Sequence, residues 1–227
     1  MIYAITNRNL ISEGEETYFK QIEKIAAAKP DGIILREKDM EPGDYEAYAK
    51  RCQEICNVWG TPLIINHFWK IGEKLDIRRI HLSMPVFRQL AGGPEQIGGP
   101  EQVGEPEQMG GRIMTEKADV FKSWEQVGVS VHNWEEAVYA EKMGADYLIA
   151  GHIFLTDCKK GVPARGLDFL REVCQAVDIP VFAIGGMNFE HGRAAMEAGA
   201  AGVCMMSELM ENDAPEKIIK RFSGRLE

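Results

Sequence analysis

Short apolar runs alternate with amphipathic helical stretches along this sequence, and the alternation repeats about eight times. The apolar runs have the length and composition of buried strands: IYAIT, GIILRE, LIINH, IHLS, VGVSV, YLIAG, VFAIG and GVCMMS. The stretches between them, such as EETYFKQIEKIAAA, carry apolar residues three and four positions apart, as helices do. Eight such strand–helix units predict an α/β fold of the (β/α)8 TIM-barrel class.

A chain of 227 residues can form one barrel of this kind, so we expect a single domain over residues 1–227.

One region interrupts the alternation of predicted strands and helices. Residues 92–111, GGPEQIGGPEQVGEPEQMGG, contain PEQ three times with a period of six, and half of the positions are Gly or Pro. This composition predicts a surface insertion between the fourth and fifth strands. A segment that binds a partner or covers the barrel mouth is the alternative.

The composition excludes several classes of partner. A net charge of -9 disfavours nucleic acid and anionic membranes, because both select for a basic surface. No segment reaches the roughly 18 apolar residues of a membrane span, and the N-terminus lacks the pattern of a signal peptide. The five cysteines are odd in number and lack a C-x-x-C pair, which indicates reduced thiols. We therefore expect a cytoplasmic protein without a nucleic-acid or membrane partner.

Each predicted strand ends in polar or chemically distinctive residues. In barrels of this class the carboxyl ends of the strands form the active-site face, so these positions should lie around one mouth. The residues concerned are Thr6, Arg36, Glu37, Asn66, His67, Ser83, Ser130, His132, His152, Gly185 and Ser207.

Two features at this mouth suit an anionic ligand. Gly185 and Gly186 end the seventh strand and Ser207 ends the eighth, and these loops commonly bind phosphate in TIM barrels. A tight turn would explain the glycines equally well. Arg36 and Lys38 alternate at the end of the second strand, so both can face the mouth and hold a carboxylate or phosphate, with Glu37 turned away. A solvated charge run is the alternative.

His132 is a candidate general acid or base because an imidazole titrates near neutral pH and this one follows the fifth strand. A surface or packing histidine is the alternative reading. His67, His81 and His152 are similar candidates. Cys158 stands next to Lys159 and Lys160, whose charges favour a thiolate, yet no base stands beside it, so an ordinary loop residue is the preferred interpretation.

The motifs LREKD, IIN, HLS, GADY, AIGG and the strand-eight serine occur here in the order typical of the thiamin phosphate synthase superfamily, which this chain resembles over residues 1–83 and 120–222. Synthases of that superfamily join a pyrimidine diphosphate to a thiazole phosphate and hold Mg²⁺ with two aspartates. Here the matching positions are His67 and Met84-Pro85. Neither offers the oxygen ligands that Mg²⁺ requires, so we expect no metal site.

The segment SVHNWEEAVYAEKMGADYLIAGHIFLTDCKKG is similar to the TenI-type thiazole tautomerases of that superfamily. These enzymes aromatise a thiazole carboxylate phosphate by moving one proton, without a cofactor. The resemblance implies that His132 carries the proton, and that the partner is a small-molecule thiazole phosphate. It implies ligand contacts at Arg36, Lys38, Asn66, Ser130, Thr156, Lys159, Gly185, Gly186, Met206 and Ser207.

The resemblance leaves two other functions open. One is a thiamin phosphate synthase that binds its metal differently, and the other is a TenI-type regulatory or ligand-binding protein without turnover. Barrels of this superfamily often assemble as dimers or larger, which implies a homo-oligomer.

Overall fold

A computed structural model describes residues 1–92, 118–156 and 161–222. Its eight parallel strands pair in sequence order and close on themselves, because the first strand also pairs with the eighth. The predicted TIM barrel is therefore confirmed. The strands are β1 (Ile2–Ile5), β2 (Gly32–Leu35), β3 (Leu63–Asn66), β4 (Arg79–Ser83), β5 (Gln126–Val131), β6 (Tyr147–Gly151), β7 (Val181–Ile184) and β8 (Gly202–Met205).

Helices alternate with these strands and form the outer layer. They are α1 (Glu15–Ala27), α2 (Pro42–Trp59), α3 (Trp69–Lys74), α4 (Met84–Ala91), α5 (Trp134–Lys142), α6 (Gly166–Ala176), α7 (Phe189–Glu197), α8 (Ser207–Met210) and α9 (Pro215–Phe222). Their apolar faces pack on the outward residues of the strands, as for Ile22 and Ile25 of α1. Within the described ranges, none of these helices has the length and apolar character needed to cross a bilayer.

A second apolar cluster fills the inside of the barrel. It is built by inward-facing residues of the strands, namely Tyr3, Ile5, Ile34, Ile64, Tyr147, Ile149, Phe182 and Cys204. The rings of Tyr3 and Phe182 stack with centroids 4.5 Å apart, and those of Tyr3 and Tyr147 lie 5.3 Å apart. Because side chains alternate along a strand, the residues two positions beyond this layer face the mouth.

The predicted insertion at 92–111 falls almost wholly outside the described residues. α4 ends at Ala91, and Gly92 follows with a left-handed backbone at φ 71°. The chain is described again from Ala118, shortly before β5. The insertion thus lies between β4 and β5 in sequence, as predicted, and its role stays a prediction.

Candidate active site

Arg36 and Asn66 stand two residues beyond Ile34 and Ile64, which line the barrel interior. Both are half-buried at the carboxyl ends of their strands. Strand alternation therefore directs Arg36 towards the mouth. Lys38, also predicted to face the mouth, is exposed. Arg36 and Asn66, two of the predicted ligand-binding residues, thus lie at the ends of adjacent strands, because β2 pairs with β3.

Glu37 has the opposite orientation, as predicted from its position between Arg36 and Lys38. Its side chain is only 1% exposed and accepts hydrogen bonds from the hydroxyls of Thr6 (2.6 Å) and Tyr18 (3.0 Å). It also accepts one from the amide of Arg8 at 2.9 Å. Glu37 therefore fixes the loop after β1 against β2, and it has a structural role beneath the mouth.

The carbonyl of His81 organises the end of β3. It accepts hydrogen bonds from Nδ2 of Asn66 and from the amide of His67, both at 3.1 Å. His67 has a left-handed backbone at φ 69° and an exposed side chain. The Asn66 carboxamide is thereby held in one orientation at the mouth, while His67 turns into solvent.

The imidazole of His81 lies inside the barrel below Ser130. Nε2 is 2.8 Å from Oγ of Ser130, and Nδ1 is 3.2 Å from the hydroxyl of Tyr147. Burial, together with the positive charge of Arg36, lowers the pKa of His81 to about 3. The ring is therefore neutral at physiological pH and connects the buried aromatic layer to a polar residue of the mouth.

His132 directly follows β5 and keeps the alternation that directs Ser130 inward. Asn133 caps α5 by accepting from the amide of Glu136 at 2.7 Å. Glu136 in turn accepts from the amide of His132 at 2.8 Å, and its Oε2 lies 3.4 Å from Nδ1 of the imidazole. The His132 side chain is 45% exposed, so one side of the ring is held by Glu136 and the rest is accessible.

The carboxyl of Glu136 is ionised in this arrangement. Burial alone would raise its pKa, but hydrogen bonds from the side chain and amide of His132 lower the pKa below its usual value. The charges of His132 and Arg88 act in the same direction. An ionised carboxylate beside Nδ1 favours a proton on that nitrogen, which leaves Nε2 as the atom that can accept a proton.

Arg165 connects the loops that follow β5 and β6. Its guanidinium donates to the carbonyl of His132 at 2.7 Å, and its amide donates to the carbonyl of His152 at 3.0 Å. His152 itself is buried, and its Nε2 lies 3.2 Å from the carbonyl oxygen of Val162. Its Nδ1 is buried without a hydrogen-bond partner in the described structure. The backbone at His132 is therefore held from two sides, by Glu136 and by Arg165.

Gly185 and Gly186 pack against the loop after β6. Both have left-handed backbones, at φ 100° and 63°. A Cβ on Gly185 would collide with the side chain of His152, and one on Gly186 would collide with the carbonyl of Leu155. Close packing alone thus explains why both positions are glycine, and their phosphate contacts stay a prediction. The imidazole of His191 hydrogen-bonds with the carbonyl of Gly186.

The other predicted contacts occupy the same end of the barrel. Met206 and Ser207 follow β8, where Ser207 is the first residue of the short α8, and both are half-buried. Thr156 is half-buried in the connection after β6. Lys159 and Cys158 lie outside the described residues. The cysteines at 52, 56, 174 and 204 are free thiols, consistent with the predicted reduced state.

The residues at the family's metal positions do not fit Mg²⁺. Met84 is buried among the apolar residues packed around α4, and Pro85 has no donor atom in its side chain. His67 offers an imidazole nitrogen, whereas Mg²⁺ prefers carboxylate and water oxygens. We therefore derive no chemical step through a metal at this place.

Three residues of the site were not predicted from sequence. Glu136 lies in the first turn of α5, and its spacing of four residues from His132 is the signal in the sequence that pairs them. Tyr147 and Arg165 carried no such signal, because their contacts with His81 and His132 span 66 and 33 residues.

Comparison with known proteins gives a consistent picture. The family model described as thiamine monophosphate synthase matches residues 2–88 and 113–209. The "Thiamine-phosphate synthase 2" of Streptococcus pneumoniae is 29% identical over 99% of this chain and 94% of its own length. The "Thiamine-phosphate synthase" of Syntrophomonas wolfei is 30% identical over 92% of this chain and 88% of its own. The solved thiamine phosphate pyrophosphorylase of Pyrococcus furiosus has a TM-score of 0.71 at 23% identity, covering 99% of this chain and 94% of that one.

Proposed function

Since the chain belongs to the thiamine monophosphate synthase family, we propose that it acts on a phosphorylated thiazole of thiamine biosynthesis, as a thiazole tautomerase. The observation that carries this proposal is the contact between His132 and Glu136 at the end of β5. An imidazole oriented by an ionised carboxylate and accessible on its other side has what a proton carrier needs.

The reaction moves one proton and requires no net redox change. Neutral His132 removes the proton from the ring carbon that bears the carboxylate, and the electron pair shifts through the ring. The resulting imidazolium returns the proton to the exocyclic alkylidene carbon, which becomes a saturated CH2 group as the ring turns aromatic. Glu136 stabilises the imidazolium between the two steps through its ionised carboxylate.

The rest of the mouth would hold the anionic groups of the substrate. Arg36 would bind the carboxylate, and Gly185, Gly186 and Ser207 in the loops after β7 and β8 would bind the phosphate. Asn66 and Ser130 face the heterocycle in this arrangement. These roles follow from the resemblance, and the positions of the residues around one mouth are compatible with them.

A thiamin phosphate synthase is the second candidate, and the comparisons favour it because the family description and the similar relatives carry that name. The donor chemistry at His67, Met84 and Pro85 argues against it, since a synthase would need oxygen ligands for Mg²⁺ at those places. Our choice of the tautomerase depends on this difference and on the geometry of His132.

The two enzymes are distinguished by their products. Purified protein is incubated with the non-aromatic thiazole carboxylate phosphate, and aromatisation is followed by absorbance and by chromatography of the product. In parallel it is incubated with pyrimidine diphosphate, thiazole phosphate and Mg²⁺, and pyrophosphate release is measured. We expect aromatisation and no pyrophosphate. Pyrophosphate release would establish the synthase, and tight thiazole binding without either product would favour the non-catalytic binding protein.

Assembly and location are further proposals. We propose a homo-oligomer in the cytoplasm, on the basis of the resemblance and the free cysteines. Light scattering of the purified protein tests the first, and cell fractionation tests the second.

A further inference from the structure

His81 is buried inside the barrel, and the proposed reaction does not use it. Its ring nevertheless touches two hydroxyl groups, one in the buried aromatic layer and one at the mouth. Nδ1 lies 3.2 Å from the Tyr147 hydroxyl, and Nε2 lies 2.8 Å from Oγ of Ser130. A neutral imidazole has one donor and one acceptor nitrogen, so the two hydroxyls must play opposite roles.

The buried end decides which nitrogen is the donor. Tyr147 is 1% exposed, and its ring fills the space left by Gly128. In the described part of the chain, Nδ1 of His81 is the hydrogen-bond partner of its hydroxyl. Burial also raises the pKa of Tyr147, so the phenol keeps its proton. If Nδ1 carried a proton, the phenol proton would be buried without an acceptor, which is costly.

The phenol therefore donates to Nδ1, and the imidazole carries its proton on Nε2. That proton is donated to Oγ of Ser130. The hydroxyl proton of Ser130 is then not needed by His81 and can be donated to a ligand. We infer that His81 is a positioning residue that, as the Nε2–H tautomer fixed by Tyr147, makes Ser130 a hydrogen-bond donor to an anionic oxygen of the ligand.

The surrounding charge agrees with an anionic oxygen at this point. Arg36 is close enough for its positive charge to act on His81, and Asn66 is held by the carbonyl of the same histidine. Within the proposed function, on which this choice of ligand rests, the oxygen belongs to the carboxylate of the thiazole. The phosphate of the same substrate shares this chemistry.

The tautomer of His81 can be determined directly by NMR spectroscopy. In protein labelled with ¹⁵N-histidine, long-range ¹H–¹⁵N spectra at pH 7 should show His81 with an unprotonated Nδ1 and a protonated Nε2. The signals are assigned by their shift in Tyr147→Phe, in which we expect the tautomer preference to be lost. Tyr3→Phe is the matched control, because its hydroxyl is bonded by Gln126 and its ring belongs to the same layer. A protonated Nδ1 in the wild type overturns the inference, whatever reaction the protein catalyses.

Binding provides the second test. Calorimetry compares the aromatic thiazole carboxylate phosphate with the thiazole phosphate that lacks the carboxylate. Ser130→Ala should weaken binding of the first about 10- to 100-fold, the effect of losing a hydrogen bond to a charged group. We expect Tyr147→Phe to weaken it at least threefold and Tyr3→Phe by less than twofold. A loss confined to the carboxylated ligand assigns the contact to the carboxylate, and an equal loss for both assigns it to the phosphate. Equal effects of Tyr147→Phe and Tyr3→Phe would contradict the relay.

Discussion

Glu136 contacts His132 twice, with Oε2 2.8 Å from the backbone amide and 3.4 Å from Nδ1 of the ring. The carboxylate thus fixes both the position of the residue and the nitrogen that carries its proton. We expect Glu136→Gln to lower kcat about 10- to 100-fold, as when an orienting carboxylate is removed from a functional imidazole. KM should change less than kcat. Glu135→Gln is the control, because this neighbour makes no hydrogen bond to His132 in the described structure; equal losses in both variants would contradict the role.

The same contact predicts how stability changes with pH. The folded state lowers the pKa of Glu136, so its stabilising contribution is present above the unfolded pKa of about 4.3 and is lost as pH falls through the lower folded value. We expect Glu136→Gln to reduce the free energy of unfolding by about 1 kcal/mol at pH 6, since the side chain is partly exposed. Denaturant unfolding should show the gap between variant and wild type closing towards pH 3. A gap that widens on acidification would contradict the sign.

Replacing the imidazole itself is the sharpest test of the proposed reaction. We expect His132→Asn to lower turnover about 10²- to 10⁴-fold, the usual loss when a general acid or base is removed. Binding of the aromatic product should remain within a few-fold, because the proposed contacts of its anionic groups are with other residues. The rate is measured by aromatisation and the affinity by calorimetry. A loss of turnover below threefold would contradict His132 as the proton carrier.

The barrel was predictable because its signal repeats. Each strand is a short apolar run and each helix has its own periodicity, so errors at single boundaries do not change the count. The position of the mouth follows from the rule that the carboxyl ends of the strands lie at one end of the barrel, and Arg36, Asn66, Ser130 and His132 all lie at such strand ends.

The interactions among those residues were harder to predict from the sequence. The orientation of Glu37 away from the mouth could be predicted from strand alternation, because Arg36 and Lys38 on either side of it are expected to face the mouth. The contact between His81 and Tyr147 could not be predicted from the sequence. It depends on the register of β4 against β5, on the register of β5 against β6 and on the space above Gly128. Contacts between side chains of different strands inside the barrel produce no periodic pattern in the sequence.

Substitution of Gly185 by alanine tests how closely the loops after β6 and β7 pack. A methyl group there would collide with the side chain of His152, in addition to the strain of a left-handed backbone. Gly60 has a similar backbone at φ 66°, but nothing lies near its missing Cβ. We expect Gly60→Ala to cost about 1 to 2 kcal/mol, and Gly185→Ala to cost about 1 to 3 kcal/mol more. Thermal and denaturant unfolding measure both, and equal losses would show that the collision is relieved.

Glu37 provides the last prediction, because its buried carboxylate accepts from the Thr6 and Tyr18 hydroxyls and from the Arg8 amide. Glu37→Gln removes the charge and turns one acceptor oxygen into a donor amide facing donors. We expect the free energy of unfolding to fall by about 1.5 to 3 kcal/mol, the range for hydrogen bonds to charged groups.

Asp39→Asn is the matched control for this substitution. Asp39 also pairs with Arg8, with oxygens 2.7 and 2.9 Å from the guanidinium, but its side chain is exposed. Solvent screens such a pair, so the loss of stability should be much smaller than that of Glu37→Gln. Urea unfolding at pH 7 compares the two variants. Arg8 contacts both acids, so either of them could hold the loop after β1. If Asp39→Asn lowered the free energy of unfolding as much as Glu37→Gln, the exposed ion pair rather than the buried carboxylate would hold this loop.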